Sequence, residues 1–263
     1  MSKVSLFSLP KISMKTWKVW RRDARVFMKT YKVNFVPPAL EPILYLLALG
    51  FGLGLFVSQI DGVSYPVFIA PALLAISMMN AAFFECTYSS FVRMYYQKTF
   101  DAIIATPLNL DEVIFGELLW GATKSTIYGS IVLVVITAFG LASYPASLLI
   151  IPFSFLVGML FSSIAMCFTA LSPRIDSLNY PISLFITPMF LVSGTFFPIS
   201  ALPTIIQQFT YIGLPLVHVV DITRALTYGS FDFDLLLNLL WIVVVTVIIT
   251  IISINLMKRR LIV

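Results

Sequence analysis

The strongest constraint in this sequence is a series of long stretches that contain no Asp, Glu, Lys or Arg. They run from Gly62 to Phe84, Ser125 to Pro173, Ser177 to Val220 and Leu235 to Met257, and an apolar run from Pro42 to Val57 precedes them. About 20 apolar residues in a helix cross a hydrocarbon core of roughly 30 Å. The stretches therefore predict transmembrane helices, and with 59% apolar and 11% charged residues the chain is not an ordinary soluble enzyme.

The stretch from Ser125 to Pro173 is too long for one span. As a single helix it would measure about 70 Å, so it must fold back, and the turn falls at residues 141–147. The expected fold class is all-α integral membrane, with one transmembrane domain over residues 37–263. Its six predicted spans cover residues 38–57, 67–86, 118–140, 148–171, 180–198 and 235–257.

Basic residues predict the orientation, because cytoplasmic flanks of membrane helices collect Lys and Arg. Nine of the 17 basic residues precede residue 33, whereas the first connection, from Ser58 to Pro66, has none. Every second connection after that is basic, and so is the C-terminus. We expect a multi-pass protein of the cell (inner) membrane with both termini cytoplasmic. The net charge of +5 thus reflects orientation, and no nucleic-acid partner is predicted.

The stretch from Ser177 to Val220 could hold two spans, but a seventh span would place the basic C-terminus outside. Proline, which removes a backbone donor, also interrupts it at Pro188, Pro198, Pro203 and Pro215. We predict one span followed by a re-entrant hairpin of two short helices, from Leu202 to Thr227. The alternative is an external loop that rests on the headgroups.

Residues 1–36 are basic and have no apolar core before Pro37 and Pro38, so no cleavable signal peptide is predicted. They are expected to form a cytoplasmic N-terminal segment with an amphipathic helix that binds membrane lipid at the interface. The alternative is a plain juxtamembrane anchor. The aromatic face is Trp17, Trp20, Ala24, Phe27, Met28 and Tyr31, and the cations are Lys15, Lys18, Arg22, Arg25, Lys29 and Lys32.

The sequence contains no recognisable nucleotide-binding or catalytic motif. The segment from Gly116 to Gly121 approaches a phosphate loop, but Lys124 follows two residues too late. The single histidine, His218, has only Asp221 as a near acidic neighbour, and no hydrolase or zinc-protease motif exists. We expect no enzymatic activity and no cofactor bound by this chain. Any ATP and Mg would be bound by a partner subunit.

Ionisable groups in or near apolar spans are functional candidates because they are costly there. Candidates for structural or gating charges are Glu41, Glu85, Glu117, Lys124, Asp221 and Arg224. For Glu41 and Glu85 the competing interpretation is a paired or solvated carboxylate at the span boundary. Gly50 and Gly54 form a Gly-x-x-x-Gly pattern that permits close helix packing.

Six ordered segments resemble the permease subunits of ABC-2 type ABC exporters. The resemblance is strongest to the branch with the nodulation-factor (lipo-oligosaccharide) exporter permease and the daunorubicin-resistance permease. The segments are Glu41 to Gly54, Phe68 to Ala75 with Phe84 and Glu85, Lys98 to Pro107, Gly116 to Lys124, Ser193 to Pro198 and Pro215 to Arg224.

This resemblance implies a homodimer of the permease with two copies of an ABC ATP-binding subunit. It also implies that the loop between spans 2 and 3 docks on the ATPase. The docking residues would be Arg93, Lys98, Thr99, Phe100, Asp101, Ile104 and Pro107, and candidates for lining the transport path are Phe51, Phe56, Phe190, Phe196 and Phe197.

The expected function is outward movement of an amphipathic or lipid-linked solute, similar to a lipo-oligosaccharide. An amphipathic drug is the alternative cargo. An ion-coupled secondary transporter and a membrane-embedded transferase that uses His218 are the rival classes, although spans 2, 4 and 6 carry no central charge that ion coupling would use.

Overall fold

The computed structural model describes residues 5–57, 59–60 and 62–261, including all their side chains except those of residues 31–33, 37–39 and 51. Helices make up nearly all of the described chain. The helices are α1 (Thr16–Lys29), α2 (Tyr31–Tyr45), α3 (Tyr65–Phe84), α4 (Thr99–Ile104), α5 (Leu110–Ala138), α6 (Ile150–Leu171), α7 (Asn179–Pro181), α8 (Thr187–Val192), α9 (Thr204–Gly213), α10 (Pro215–Tyr228) and α11 (Phe233–Leu261).

Wider π-type turns and short 3₁₀ turns extend several of these helices. The π-type turns are Leu46–Gly52, Glu85–Ser89, Val92–Tyr96 and Ile182–Ile186, and the 3₁₀ turns are Leu53–Leu55, Ala146–Leu149, Ile175–Leu178 and Ile199–Ala201. A two-stranded antiparallel ribbon, β1 (Gln59–Ile60) and β2 (Val63–Ser64), joins the first two long helical segments.

Within the described residues, six helical segments are long and apolar enough to cross a membrane, which confirms the predicted all-α membrane fold. They are Asn34–Leu55, Tyr65–Tyr96, Leu110–Ala138, Ala146–Leu171, Ile175–Val192 and Phe233–Leu261, named spans 1 to 6 below. Each overlaps one of the predicted spans.

The connection between spans 2 and 3 is shorter than the 31 residues, 87–117, that the predicted span limits leave. Span 2 stays helical to Tyr96 and span 3 begins at Leu110. Asn109 and Glu112 form a reciprocal capping box at that start, with the Asn109 backbone N–H donating to Glu112 Oε2 at 2.8 Å. The predicted span limits lie where charged residues end an apolar run. In the structure the helices continue through these charged residues, so the connection is shorter.

Both ends of the chain lie at the same end of the helical bundle. The Ser8 hydroxyl donates to Asn255 Oδ1 at 2.6 Å, and Lys258 Nζ lies 3.0 Å from Asp111 Oδ1 at the start of span 3. An even number of spans requires this arrangement. We call this the termini end of the bundle, and α4 lies there too because it joins the same ends of spans 2 and 3.

The segment between spans 5 and 6 enters and leaves at the opposite end of the bundle. Its helices α9 and α10 meet at an angle of 90°. The Arg224 guanidinium donates to the Gly194 carbonyl just after span 5, and the Ser143 backbone N–H donates to the Thr227 carbonyl at 2.9 Å. A bend of 90° fits either a broken span or a re-entrant hairpin, so the predicted hairpin and its depth in a bilayer stay predictions.

Glycine permits a close backbone contact between spans 3 and 4. A Cβ placed on Gly158 would lie 2.6 Å from both Ala122 Cα and Ser125 Cβ. The backbones are therefore too close for a methyl group. Ser125 Oγ uses this proximity to donate to the carbonyls of Met78 and Ser154, at 2.9 and 3.1 Å, which joins spans 2, 3 and 4.

We expect Gly158→Ala to lower the free energy of unfolding by about 1–3 kcal/mol, because the added methyl group overpacks a backbone contact. The measurement is the thermal unfolding midpoint of the purified chain in detergent. Gly52→Ala is the matched control, since a Cβ at Gly52 would meet nothing within 4 Å. Equal midpoints for the two variants would contradict this account of the packing.

Candidate functional site

A cavity of about 460 Å³ opens between spans 1, 2, 3 and 5. This volume is in the range of small-molecule sites, which bury an apolar body and orient it with a few polar groups. Most of the wall is apolar, but Glu41, Lys124 and Tyr128 also line it. The other lining residues are Pro42, Tyr45, Leu73, Ile76, Ser77, Met79, Asn80, Ala81, Phe84, Ile182, Ile186, Thr187 and Phe190.

Lys124 belongs to a chain of alternating charges that crosses three helices. Its Nζ lies 2.9 Å from Glu85 Oε2 in span 2, and Glu85 Oε1 lies 2.7 Å from Arg93 Nη1. Arg93 Nε donates to Glu117 Oε2 at 2.9 Å, and Arg22 Nη2 lies 2.9 Å from Glu117 Oε1. We call these residues, together with Asp23, the charge chain.

Burial makes the charge chain strongly interdependent. The Glu117 side chain is 0% exposed, and that of Glu85 is 5% exposed. Replacing a buried ion pair by apolar groups can be neutral, but removing one partner leaves an uncompensated charge in a poorly solvated site. Each carboxylate between two cations is therefore held in place by the cost of separating it from them.

The charge chain connects the first cavity with a second one at the termini end. The second cavity has a volume of about 440 Å³ and is lined by Arg22, Asp23, Arg93 and Thr99, and also by Val26, Tyr88, Ser89, Val92 and Gln97. Thr99 begins α4. Polar contacts thus extend without a gap from the surroundings of α4 to the wall of the cavity between the spans.

Asp23 is the acid at the α1 end of the charge chain. It is buried, and its Oδ2 atom has no hydrogen-bond partner among the described residues. Burial, with the negative charge of Glu117 as a second cause, raises the pKa of Asp23 to about 7. Arg22 and Arg93 oppose this shift. Asp23 therefore titrates near neutral pH.

The position of α1 differs in part from the predicted lipid-facing helix. The side chains buried against the bundle are Thr16, Val19, Asp23 and Phe27, and the aromatic face of the prediction is split. Trp20 Nε1 donates to Thr123 Oγ1 at 2.8 Å, so Trp20 faces span 3, whereas Trp17 and Met28 are exposed. The interfacial location of α1 stays a prediction.

Arg22 and Asp23 are the members of the charge chain that the sequence analysis missed. Arg22 was placed with the lipid-facing cations, but its guanidinium turns inward to Glu117. A signal for Asp23 does exist. It is the single acidic residue before residue 41 and lies four residues from both Val19 and Phe27, on the same helix face.

The predicted docking residues lie in two settings. A short helix, α4, occupies Thr99–Ile104, and the Ile104 side chain is 40% exposed. Phe100 is fully buried and anchors α4 to the bundle. Arg93 lies inside the helical part of span 2, where Glu85 and Glu117 hold it, so it is not part of an exposed loop. Lys98, Asp101 and Pro107 lie in or beside α4, and their docking role stays a prediction.

The predicted path residues are not gathered at one place. Phe190 lines the cavity and packs edge-on against Phe196, with ring centroids 4.9 Å apart. Phe56 and Phe197 are exposed and lie outside the lining of this cavity. The side chain of Phe51 lies outside the described residues.

The remaining predicted charges lie at the end opposite the termini. Asp221 Oδ2 accepts a hydrogen bond from the Tyr211 hydroxyl at 3.1 Å, and Arg224 lies 4.0 Å from the centre of the Phe68 ring. His218 stacks on Trp241 and is 2.7 Å from Asn238 Oδ1. These contacts fasten α9 and α10 to spans 2 and 6.

Glu117 and Lys124, predicted on one face of span 3, belong to one charge chain but bind different partners.

Helical spans around an amphipathic cavity define a membrane transport protein. Residues 14–228 match the family described as "ABC-2 type transporter", and the chain belongs to this family of membrane permeases.

Two similar proteins named Nodulation protein J support the same class. That of Rhizobium leguminosarum bv. trifolii is 36% identical over 261 residues, which is 99% of each chain. That of Bradyrhizobium diazoefficiens is 39% identical over 206 residues, or 78% of each chain. The "Inner membrane transport permease YadH" of Escherichia coli (strain K12) is 22% identical over 203 residues, 77% of this chain and 78% of its own. The resemblance to ABC-2 permeases is confirmed.

We expect Glu117→Gln to lower the free energy of unfolding by about 3 kcal/mol, because Arg22 and Arg93 would lose the carboxylate between them. Thermal unfolding in detergent measures the effect. Asp232→Asn removes one negative charge at an exposed position and should change stability by less than about 0.5 kcal/mol. Similar midpoints for both variants would show that the charge chain is not structural.

The raised pKa of Asp23 predicts that the stability of the folded chain depends on pH. The folded chain keeps the Asp23 proton up to about pH 7, whereas an unfolded chain releases it near 3.8. Protonation therefore favours the folded state, and this contribution is lost as pH rises from about 4 to about 7. Thermal midpoints of the native chain should fall between about pH 4 and about pH 7, and Asp23→Asn should reduce that fall. An unchanged slope in Asp23→Asn would contradict the assignment.

Proposed function

We propose that this chain is the transmembrane permease subunit of an ATP-driven ABC exporter that moves an amphipathic or lipid-linked solute outward. The observation that carries the proposal is the amphipathic cavity between spans 1, 2, 3 and 5. An acyl tail or other apolar body would contact its Leu, Ile, Met and Phe side chains. A polar head would bind near Glu41, Asn80 and Lys124.

The ATP would be hydrolysed on a separate ABC subunit with its Mg ion, and α4 would be the lever that this subunit moves. Two features favour α4 for this role: its exposed Ile104 could pack on a partner, and its buried Phe100 would carry the displacement into the bundle. The charge chain beside Thr99 would then convey it towards Lys124.

The complete transporter would contain two copies of this chain and two ATP-binding subunits in the inner membrane, with the termini end in the cytoplasm. Spans 1 and 5 form two of the cavity walls, and their segments are mostly exposed in the single chain. In a homodimer a second copy would cover these spans. The exposed Trp17 and the cations of α1 would lie against membrane lipid.

The proposed cargo is similar to a lipo-oligosaccharide, and similarity to proteins named Nodulation protein J over nearly the whole chain favours it. An amphipathic drug is the alternative, which the apolar part of the cavity wall would also accept.

The test is transport into inverted membrane vesicles that contain the chain and the ATPase with which it co-purifies. One arm uses a fluorescent alkyl oligosaccharide and the other uses the cationic dye rhodamine 6G. The proposal expects ATP-dependent uptake of the first probe, and the alternative expects uptake of the dye. Uptake that persists without the ATPase subunit, driven by an ion gradient, would overturn both.

We expect Ile104→Glu to reduce both co-purification of the ATPase and uptake by at least about tenfold, because a charge would replace an exposed apolar contact at the centre of a docking surface. The matched control is Ile205→Glu, which changes an isoleucine that is 81% exposed on α9 at the opposite end of the bundle. If both variants behave like the native chain, α4 is not the docking element.

A further inference from the structure

The cavity between the spans contains one charge that the described protein leaves uncompensated. Glu41 lies in α2 and lines the open side of the cavity beside Pro42 and Tyr45, where the residue is exposed. No hydrogen bond or ion pair joins its carboxylate to any side chain that the structure describes. A carboxylate in this position presents acceptor oxygens only, and each can receive hydrogen bonds from a ligand.

Lys124, the cation in the same wall, is already neutralised. Its Nζ lies 2.9 Å from Glu85 Oε2. Glu85 in turn binds Arg93, so the charges behind Lys124 alternate in sign up to Glu117 and Arg22. An anionic head would have to compete with Glu85 for Lys124. The charge in the cavity wall that has no partner among the described side chains is therefore that of Glu41.

The other polar groups near Glu41 are neutral. They are Tyr45, Ser77, Asn80, Tyr128 and Thr187. Hydroxyl and amide groups of this kind both donate and accept hydrogen bonds, so they fit a head with several hydroxyl groups as well as an ammonium. They do not offset a second negative charge brought beside the Glu41 carboxylate.

We propose that Glu41 selects the head group of the transported solute, and that the cavity accepts amphipathic molecules whose head donates hydrogen bonds and rejects those whose head is anionic. A neutral sugar and a primary ammonium share this donor chemistry. This inference rests on the proposed transport function and names the substrate class of that cavity. Glu41 thus sets specificity by what it repels as well as by what it binds.

Binding of three probes with the same dodecyl tail tests the proposal: dodecylammonium, dodecyl maltoside and dodecyl phosphate. Each displaces a fluorescent dodecylammonium probe from the full chain in phosphatidylcholine nanodiscs, and empty nanodiscs correct for partition into lipid. The native chain should bind the ammonium and the maltoside, and the phosphate at least about tenfold more weakly.

Glu41→Gln should lower the affinity for dodecylammonium by about tenfold, through loss of a charge-assisted hydrogen bond, and that for dodecyl maltoside by about threefold. It should also reduce the difference in affinity between these two probes and dodecyl phosphate. Asp232→Asn, at an exposed position outside the cavity, should bind all three probes like the native chain. A preference order unchanged in Glu41→Gln would overturn the proposal.

The native chain provides a second test that does not depend on folding of a variant. A dodecylammonium probe with a photoreactive head should label peptides that contain Glu41, Asn80 or Thr187. Labelling confined to the exposed face of span 6 would overturn the proposal. Transport that is ATP-dependent but insensitive to Glu41→Gln would refute this role of Glu41 and leave the proposed function intact, whereas loss of ATP-dependence would refute the function.

Discussion

The position of Glu117 between Arg22 and Arg93 is the interaction on which the arrangement of the functional elements depends. Its side chain is fully buried in span 3, while the two guanidiniums come from α1 and span 2. A carboxylate at such a site is tolerated only when it is paired and hydrogen-bonded, and Ser90 Oγ supplies a further bond at 2.9 Å. This shared need for compensation fixes α1 and span 2 against span 3, which apolar packing alone would not align so specifically.

The charge chain also determines the electrostatics of the cavity. Because Arg93 is shared between Glu117 and Glu85, Glu85 keeps a second oxygen free for Lys124. Lys124 therefore lies in the cavity wall as a compensated cation, and Glu41 contributes the remaining charge. At the other end, burial and the nearby negative charge of Glu117 raise the pKa of Asp23 to about 7. The charge chain thus consists of closely paired residues beside the cavity, whereas at the termini end it contains an acid, Asp23, that titrates near neutral pH.

Much of the fold could be predicted from the sequence because the bilayer imposes length and apolarity on each span. The charge-free stretches located all six spans, and prolines indicated the break between α9 and α10 that follows span 5. Span ends were less predictable. Arg93 and Glu112 look like the limits of a loop, yet a partner carboxylate and a capping box keep them in helices. The charge chain was hidden because its partners are up to 95 residues apart, as Arg22 and Glu117 are.

The distribution of charge suggests how one permease fold can serve different cargoes. The charge chain ties together α1, span 2 and span 3, so a substitution there would alter the positions of helices and impair any cargo equally. Glu41 lies in span 1 outside this chain, and its carboxylate bonds to no described side chain. A substitution at residue 41 can therefore change the charge of the cavity without breaking the contacts that hold spans 2 and 3. With the proposed roles, coupling and selection would depend on different residues, and selection could change in evolution while the coupling machinery stays intact.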